Sequence, residues 1–347
     1  MSAPIAHGGG ITAAAAAFGG RPEDWLDLST GINPCPVALP DIPAMAWHRL
    51  PDRHLVDEAR FAARDHYGSG AILPLPVPGT QSVIQLLPRL LRQGGRGAAT
   101  DDRVAVTDNR IVVVSPTYGE YARAFASAGF VVDAVDDIAA TGGEHRLAVV
   151  VNPNNPDGRV WPAKTLIGLH DRMKAAGGIL VVDEAFGDAD PARSLAAHAQ
   201  ELSNLIIFRS FGKFFGLAGL RLGFAIARED ILARIEDWLG PWAVSGPALS
   251  LAASLFRSDV SAIRHSLDKR SAALQATLTS AGLRIRGGTA LFTLAADSRA
   301  SDIYTHLCRH HILVRKFDYA PDWLRFGLTP DPAADRRLGE ALQGFER

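Results

Sequence analysis

The stretch Ser210-Phe-Gly-Lys213-Phe-Phe-Gly-Leu-Ala-Gly-Leu-Arg221-Leu-Gly contains a single lysine among apolar residues and glycines. It follows the apolar run 205–208, which is typical of a buried strand in a parallel sheet. The strand is predicted to end near Ser210, so Lys213 would lie at its C-terminal end, where open α/β sheets bind ligands. An amine held there among apolar neighbours can lose its proton and form a Schiff base. Ser210 and Arg221 flank it with a hydroxyl and a guanidinium suited to a phosphate.

Outside this stretch, short β-branched runs alternate with helix-length segments between about residues 111 and 226. The alternation favours an α/β fold with a mostly parallel sheet and helices on both faces. Beyond residue 247, a long helical pattern gives way to shorter strands, which indicates a smaller α+β domain. The predicted strands are 111–114, 130–132, 147–151, 179–182, 205–208, 221–226, 289–294 and 312–315, and the predicted helices are 83–91, 119–128, 162–176, 231–239 and 248–281.

The composition is that of an ordinary globular protein. Of 347 residues, 47% are hydrophobic and 21% are charged, which provides ample material for a core, and the length suits two domains. The formal net charge is -1 with no basic block, so neither nucleic acid nor an acidic membrane surface is predicted as a partner. The segment 94–108 is rich in Gly, Asp and Thr, and we predict that it is a surface insertion.

The cysteines and the N-terminal segment indicate the cellular compartment in which the protein is expected to work. Cys35 and Cys308 are far apart and fit no metal spacing, and two free thiols suit a reducing compartment. No Lys or Arg precedes Arg21, so the start of the chain lacks the charge of a signal peptide, and no stretch approaches the length of a membrane span. We therefore expect a soluble cytoplasmic protein.

Two further segments offer groups for chemistry. Asp183 ends a predicted strand, and a buried aspartate at such a position needs a cationic or hydrogen-bonding partner. Its alternative role is a helix N-cap. Gly79, Thr80 and Gln81 come just before a predicted helix, where backbone N–H groups and the helix dipole can bind a phosphate. An ordinary capped helix is the alternative for these three residues.

Together with two polar turns, 115–119 and 152–158, these segments resemble in order those of enzymes of fold type I that depend on pyridoxal 5′-phosphate (PLP). The resemblance is to the branch that holds the histidinol-phosphate aminotransferases and the threonine-phosphate decarboxylases, and it covers roughly residues 25 to 330. It implies PLP as the cofactor, a large PLP-binding α/β domain at residues 46–239, and a small discontinuous α+β domain made of residues 1–45 and 240–347. It also implies a homodimer with the cofactor near the subunit interface.

The same resemblance implies a role for each cofactor-binding residue. Lys213 would carry PLP as a Schiff base and shuttle a proton, and Asp183 would keep the pyridine nitrogen protonated so that the ring can accept electrons. Tyr118 would stack on the ring, although a single tyrosine at a strand end also suits the core or the rim. Asn155 would donate to the O3′ oxygen of the cofactor. The contacts to the cofactor phosphate are assigned to Gly79, Thr80, Gln81, Ser210 and Arg221.

Within that family, the N-terminal segments favour the decarboxylases of cobalamin biosynthesis. His7-Gly8-Gly9-Gly10 and Ser29-Thr30-Gly31-Ile32-Asn33-Pro34 resemble the corresponding segments of threonine-phosphate decarboxylases, as does Phe186. The family's aminotransferases commonly carry Tyr where Phe186 stands, and Asn-Pro-Tyr where this chain has Asn33-Pro34-Cys35. The implied substrate-binding residues are His7, Arg159 and Arg315 around a phosphate, Arg325 on an α-carboxylate, and Thr30.

The resemblance implies decarboxylation of L-threonine O-3-phosphate, a small phosphorylated amino acid, to (R)-1-amino-2-propanol O-2-phosphate and CO2. The alternative within PLP chemistry is histidinol-phosphate transamination with 2-oxoglutarate as the acceptor, and Phe186 and the His-Gly-Gly start favour the first reaction. The alternative from another class is a non-catalytic PLP-binding domain of a regulator, which the lack of a helix-turn-helix pattern before residue 25 disfavours. No metal site is predicted, because no Cys, Asp or Glu set completes the cluster His306, His310 and His311.

Overall fold

The computed structural model describes residues 5, 7–35, 37–94 and 109–345, so the predicted insertion at 94–108 lies, apart from Gly94, outside the described residues. In chain order the helices and strands are α1 Ile11–Phe18, β1 Leu26–Leu28, α2 Ala44–His48, α3 Arg53–Tyr67, β2 Leu75–Val77, α4 Thr80–Ile84, α5 Leu87–Gly94, β3 Arg110–Val114, α6 Glu120–Ser127, β4 Val131–Val135, β5 Leu147–Val151, α7 Ala163–Ala175, β6 Ile179–Asp183, β7 Leu205–Ser210, α8 Phe211–Phe214, β8 Gly223–Ala227, α9 Glu229–Leu239, α10 Gly246–Phe256, α11 Ser261–Ser280, β9 Arg284–Thr289, β10 Phe292–Ala296, α12 Ala300–Arg309, β11 Ile312–Phe317, β12 Ala320–Gly327 and α13 Pro332–Gln343. Within these described ranges, no helix is both long enough and apolar enough to cross a membrane.

A seven-stranded sheet in the order β2-β8-β7-β6-β5-β3-β4 forms the centre of the fold. Its strands are parallel except for β8, which runs antiparallel to both of its neighbours. Successive side chains of a strand point to opposite faces, so Val112 and Val150 pack in one apolar cluster while Val113 and Val149 pack in another. Because helices cover both faces, these strands are continuous apolar runs. The prediction of a mostly parallel sheet between helices is confirmed.

A second, five-stranded sheet has the order β1-β11-β12-β10-β9. The N-terminal strand β1 pairs in parallel with β11, so the start of the chain joins the C-terminal part. The other pairs are antiparallel, and they place Arg315 of β11 opposite Arg325 of β12. Helix α10 packs against α3, so contacts cross the predicted boundary at residues 239 and 240. The two-domain division stays a prediction.

Three predicted elements differ from the structure because a local side-chain bond or turn interrupts the pattern. The helix predicted at 83–91 is divided into α4 and α5. The single helix predicted at 248–281 is divided into α10 and α11, because the Asp259 carboxylate accepts from the backbone and the hydroxyl of Ser261 and so starts a new helix. The strand predicted at 289–294 contains a turn in which the Thr289 hydroxyl accepts from the Leu291 amide.

Behind the carboxyl ends of the strands, a buried arginine holds the segment that follows β6. Arg209 of β7 is 1% exposed, and its guanidinium lies 2.6 Å from Glu184 and 3.1 Å from Asp188. Both carboxylates are equally buried, and His66 lies 3.1 Å from Asp188. A buried charge is tolerated only when it is paired and hydrogen-bonded. The cluster therefore fixes the backbone that directly follows Asp183 through its neighbour Glu184.

We expect Arg209→Met to lower the free energy of unfolding by about 3–5 kcal/mol, because it leaves two carboxylates buried without their cation. Urea unfolding followed by circular dichroism measures the change. The control is Arg228→Met, which breaks the exposed ion pair of Arg228 with Asp230 and should cost at most about 1 kcal/mol. Equal losses in the two variants would contradict the interpretation of Arg209 as a buried counter-charge.

Candidate active site

A cavity of ≈ 550 Å³ lies at the carboxyl ends of the parallel strands. This is the edge of an open α/β sheet at which ligands bind. Arg159 is the one sequence-predicted site residue that is not among the residues described as lining it. The other predicted site residues all line this cavity: His7, Thr30, Gly79, Thr80, Gln81, Tyr118, Asn155, Asp183, Ser210, Lys213, Arg221, Arg315 and Arg325.

Lys213 is placed by α8, which begins directly after β7. Its Nζ atom lies 5.7 Å from the centre of the Phe186 ring. The pKa of Lys213 is lowered to about 8, mainly by burial and also by the nearby charges of Arg325 and Arg221, while the Asp183 carboxylate opposes the change. A neutral amine is a nucleophile, and a pKa near 8 makes that form accessible close to neutral pH.

Asp183 ends β6 and is 3% exposed. One carboxylate oxygen accepts from the Ala185 amide at 3.0 Å, and the other accepts from the Tyr121 hydroxyl at 2.8 Å. Burial raises the pKa of Asp183, although both hydrogen bonds oppose the change. Burial thus disfavours the anion, which a cationic N–H group in the cavity would stabilise. The sequence analysis missed Tyr121, and the available signal was its position three residues after Tyr118 at the start of a helix.

Hydrogen-bond donors gather at one end of the cavity, where α4 begins. Gly79 precedes this helix with φ 75°, and a Cβ atom there would lie 2.7 Å from a guanidinium nitrogen of Arg221. Only glycine therefore allows Arg221 to approach this closely. Arg221 itself has φ 51°, a left-handed conformation that is uncommon for a residue with a side chain. The first-turn N–H groups of Thr80 and Gln81 have no acceptor within the helix, so this end of the cavity suits a phosphate.

Tyr118 and Asn155 stand on loops after β3 and β5. The Tyr118 hydroxyl donates to the side-chain oxygen of Gln81 at 3.0 Å, and burial raises the pKa of Tyr118 to about 12. Asn155 accepts from Arg325 through its side-chain oxygen at 2.5 Å. Both side chains are therefore held by neighbours that also line the cavity.

Two arginines face the cavity from neighbouring strands. Arg315 and Arg325 are directly opposite each other in the pairing of β11 with β12, and like charges in that arrangement are destabilising. The buried Arg325 guanidinium also donates to the Ser29 carbonyl at 2.8 Å, and its Nε has no hydrogen-bond partner among the described residues. Burial lowers the pKa of Arg325 to about 10, and Arg315 contributes to the shift. The pair would be stabilised by anionic groups in the cavity.

The remaining predicted residues occupy different positions. His7 lines the cavity, and its Nε2 lies 2.9 Å from the Glu120 carboxylate. Thr30 lines it just after β1. The guanidinium of Arg159 donates instead to the carbonyls of Asp136 at 2.5 Å and Ser115 at 3.3 Å, beyond the ends of β4 and β3. In this conformation its side chain is directed at backbone oxygens.

The residues present fit PLP. The lysine with a lowered pKa can hold an aldehyde, the buried carboxylate can pair with a pyridinium nitrogen, and the donors around Gly79 can hold a phosphate. Tyr118 adds an aromatic ring to the same cavity.

The aminotransferase class I and II family model matches residues 23–342. A threonine-phosphate decarboxylase of Sinorhizobium sp is 59% identical to this chain, over 100% of this chain and 100% of the relative. A threonine-phosphate decarboxylase of Pseudomonas aeruginosa is 42% identical, over 99% of this chain and 98% of the relative. The solved histidinol-phosphate aminotransferase of Sinorhizobium meliloti in complex with pyridoxal-5′-phosphate has a TM-score of 0.75 at 19% identity, over 99% of this chain and 95% of that one. The last comparison shows a shared fold.

Proposed function

Because the chain belongs to the aminotransferase class I and II family, and within it to the threonine-phosphate decarboxylases, we propose that it decarboxylates L-threonine O-3-phosphate. The products are (R)-1-amino-2-propanol O-2-phosphate and CO2, and we assign the reaction to cobalamin biosynthesis. The enzyme is PLP-dependent, and bound PLP supplies an electron sink for the pair of electrons that the departing carboxylate leaves at Cα.

The cross-strand pair of Arg315 and Arg325 is the observation that carries this proposal. Threonine phosphate presents two anionic groups on one small molecule, an α-carboxylate and a phosphate, and each guanidinium can bind one of them by charge-assisted bonds. Histidinol phosphate has a phosphate but no carboxylate, whereas the 2-oxoglutarate of that reaction carries two carboxylates, so the arginine pair suits a doubly anionic ligand in either reaction. The choice of threonine phosphate is supported by the relatives that are 59% and 42% identical over their full length.

We assign the α-carboxylate to Arg325, because it is buried and held by Asn155 and the Ser29 carbonyl. The substrate phosphate is assigned to Arg315, together with His7 and Thr30, which line the same cavity. The phosphate role of Arg159 stays a prediction, and we leave this residue out of the assignment because its guanidinium is directed at the carbonyls of Asp136 and Ser115. With both anionic ends bound, the two arginines fix which bond at Cα is presented for cleavage.

The remaining residues hold the cofactor and handle a proton. Lys213 would hold PLP covalently, and its Nζ would donate the proton that Cα takes up once CO2 has left. Asp183 would keep the pyridine nitrogen protonated, with Tyr121 fixing its carboxylate. Tyr118 would stack on the ring, and Asn155 would contact O3′. The phosphate end is assigned to Gly79, Thr80, Gln81, Ser210 and Arg221.

Arg315→Ala should lower kcat/KM for threonine phosphate by roughly 10- to 100-fold, the effect of losing about 1.5–3 kcal/mol of charge-assisted hydrogen bonding. The residual reaction with unphosphorylated threonine should stay level, because that substrate offers Arg315 no phosphate. Arg325→Ala should impair both substrates, since each carries the α-carboxylate. Steady-state kinetics with the two substrates measures the difference. An equal loss on both substrates in Arg315→Ala would contradict the phosphate assignment.

A substrate comparison tests the function itself. PLP-loaded protein is incubated with threonine phosphate, and separately with histidinol phosphate and 2-oxoglutarate. We expect turnover of threonine phosphate and no glutamate from histidinol phosphate. Glutamate formation with histidinol phosphate, together with inert threonine phosphate, would identify an aminotransferase instead.

We further propose a homodimer with the cofactor near the subunit interface. Support comes from large apolar side chains on the segment around α2 that are more than half exposed in the single chain: Leu39, Met45, Trp47 and Leu50. A surface of this kind marks a protein contact, and a second copy would bury it symmetrically. Sedimentation at assay concentration should show a dimer, and Trp47→Glu should shift it towards monomer. A fully active monomer would overturn this proposal.

We also propose that the enzyme works in the cytoplasm. Cys35 and Cys308 are both free thiols, and unpaired cysteines suit a reducing compartment.

A further inference from the structure

Glu120 is a buried carboxylate at the rim of the cavity, and the proposed reaction assigns it no role. It is the first residue of α6 and is 4% exposed. One of its oxygens accepts from His7 Nε2 at 2.9 Å, and the other accepts from Gln81 Nε2 at 3.0 Å. Arg123 lies at 3.4 Å in the same helix. Burying a carboxylate costs free energy unless the charge is paired and hydrogen-bonded, and these partners offset that cost for Glu120.

The partners of Glu120 come from two separate segments of the chain that both line the cavity. His7 belongs to the N-terminal segment, whereas Gln81 belongs to the first turn of α4, at the end assigned to the cofactor phosphate. Gln81 also accepts from the Tyr118 hydroxyl at 3.0 Å. A continuous chain of hydrogen bonds therefore runs from His7 through Glu120 and Gln81 to Tyr118, with Glu120 as the link between the N-terminal segment and α4.

The N-terminal segment lies along the mouth of the cavity. Ile5, His7 and Gly8 line it, and the Gly9 amide donates to the Ser29 hydroxyl at 2.7 Å. The Ile5 side chain lies against Gly119, where an added Cβ would come within 3.0 Å of it. Glu120 engages Nε2 of His7, and in the protonated ring the other nitrogen, Nδ1, also carries a hydrogen that it can donate to an anionic ligand.

We propose that Glu120 is a positioning residue that fastens the N-terminal segment, residues 5 and 7–10, across the cavity mouth and orients His7 and Gln81. The fastening itself requires only the contacts above. The consequence for substrate binding rests on the proposed function, because it takes the ligand of His7 to be the phosphate of threonine phosphate. Glu120 acts through its neighbours and touches neither the substrate nor the cofactor.

Hydrogen–deuterium exchange of the PLP-loaded protein tests the fastening directly. In Glu120→Ala, the peptide that contains residues 7–10 should exchange about tenfold faster than in the unaltered protein, as expected when its charge-assisted bond is lost. His7→Ala should have the same effect, and the double variant should exceed neither single variant, because both remove one interaction. Glu120→Gln keeps the volume and one acceptor, so it should loosen the peptide in the same direction but less.

The matched control is Glu229→Ala. Glu229 is also the first residue of a helix, α9, but it is exposed, so this variant loses the same favourable charge at a helix N-terminus without the contacts of Glu120. Exchange of the N-terminal peptide should be unchanged in it. Unchanged exchange in both Glu120 variants, or equal acceleration in Glu229→Ala, would overturn the proposal.

Kinetics separate this proposal from the proposed function. Glu120→Ala should raise KM for threonine phosphate about tenfold while kcat changes less than about threefold, because a positioning contact acts on binding. A large fall in kcat at unchanged KM would contradict the positioning role. If the unaltered protein does not decarboxylate threonine phosphate but Glu120→Ala still loosens the peptide, the proposed function fails and the fastening stands. If the unaltered protein decarboxylates threonine phosphate but Glu120→Ala leaves the exchange of the N-terminal peptide unchanged, the fastening fails and the proposed function stands.

Discussion

Lys213→Ala should reduce turnover of threonine phosphate by at least about 10³-fold, because one amine is assigned both the covalent attachment of PLP and the proton transfer to Cα. The pKa of Lys213, lowered to about 8 mainly by burial, makes the neutral amine that the attachment requires accessible near neutral pH. The variant should still bind some PLP, since the donors around Gly79 and Arg221 remain. Steady-state CO2 release and the PLP content of the purified variant measure the two effects.

Borohydride reduction followed by peptide mass spectrometry provides the control for this prediction. The reduced adduct should be found on Lys213 in the unaltered protein. Lys316→Ala is a suitable comparison, because Lys316 is on β11 next to Arg315 but its Nζ lies 4.9 Å from the ring of Tyr304. That variant should keep its activity. An adduct on any other lysine would refute the assignment; the others are Lys164, Lys174, Lys269 and Lys316.

Asp183→Asn should lower kcat by roughly 10²-fold or more, equivalent to ~2.7 kcal/mol or above, while PLP binding falls far less. An amide cannot keep the pyridine nitrogen protonated, so the ring accepts electrons poorly even though the phosphate contacts remain. Kinetics at saturating substrate and the absorbance of bound PLP measure the two effects.

Tyr121→Phe is a milder variant that tests the same role of Asp183. It removes the hydroxyl that donates to the Asp183 carboxylate at 2.8 Å but leaves the charge in place. Its kcat should therefore fall by less than that of Asp183→Asn. Near-normal turnover in Asp183→Asn would show that this carboxylate is not the partner of the pyridine nitrogen.

The parallel sheet could be predicted from the sequence because it is buried on both faces. Runs such as 147–151 are continuously apolar, and this pattern has few other interpretations. The boundaries of the helices and strands in the C-terminal part of the chain were harder to predict, because they depend on single side chains. The Asp259 carboxylate that starts α11 and the Thr289 hydroxyl in the turn before β10 do not alter the apolar pattern around them.

The residues of the candidate site that lie at or just after the ends of parallel strands could be predicted from the sequence. Topology alone brings Asp183 and Lys213 to the same edge of the sheet, since β6 and β7 are parallel neighbours. The opposition of Arg315 and Arg325 could not be predicted, because it depends on a register that shifts between Lys316 and Phe317. The long side chain of Arg159 can reach several acceptors, so its direction towards Asp136 and Ser115 is a result of packing that the sequence does not encode locally. Glu120 and Tyr121 were missed for a related reason, since each gains its partner only through tertiary contacts.

The most direct test of the central claim follows the carboxyl carbon of the substrate. PLP-loaded protein is incubated with L-threonine O-3-phosphate labelled in the carboxylate, with and without 2-oxoglutarate, and both CO2 and the remaining acids are analysed. Decarboxylation predicts that the label leaves as CO2 in equimolar amount with 1-amino-2-propanol O-2-phosphate, at a rate that 2-oxoglutarate does not change. Label retained in a keto acid, with glutamate formed only when 2-oxoglutarate is present, would contradict the account and show that the protein is an aminotransferase.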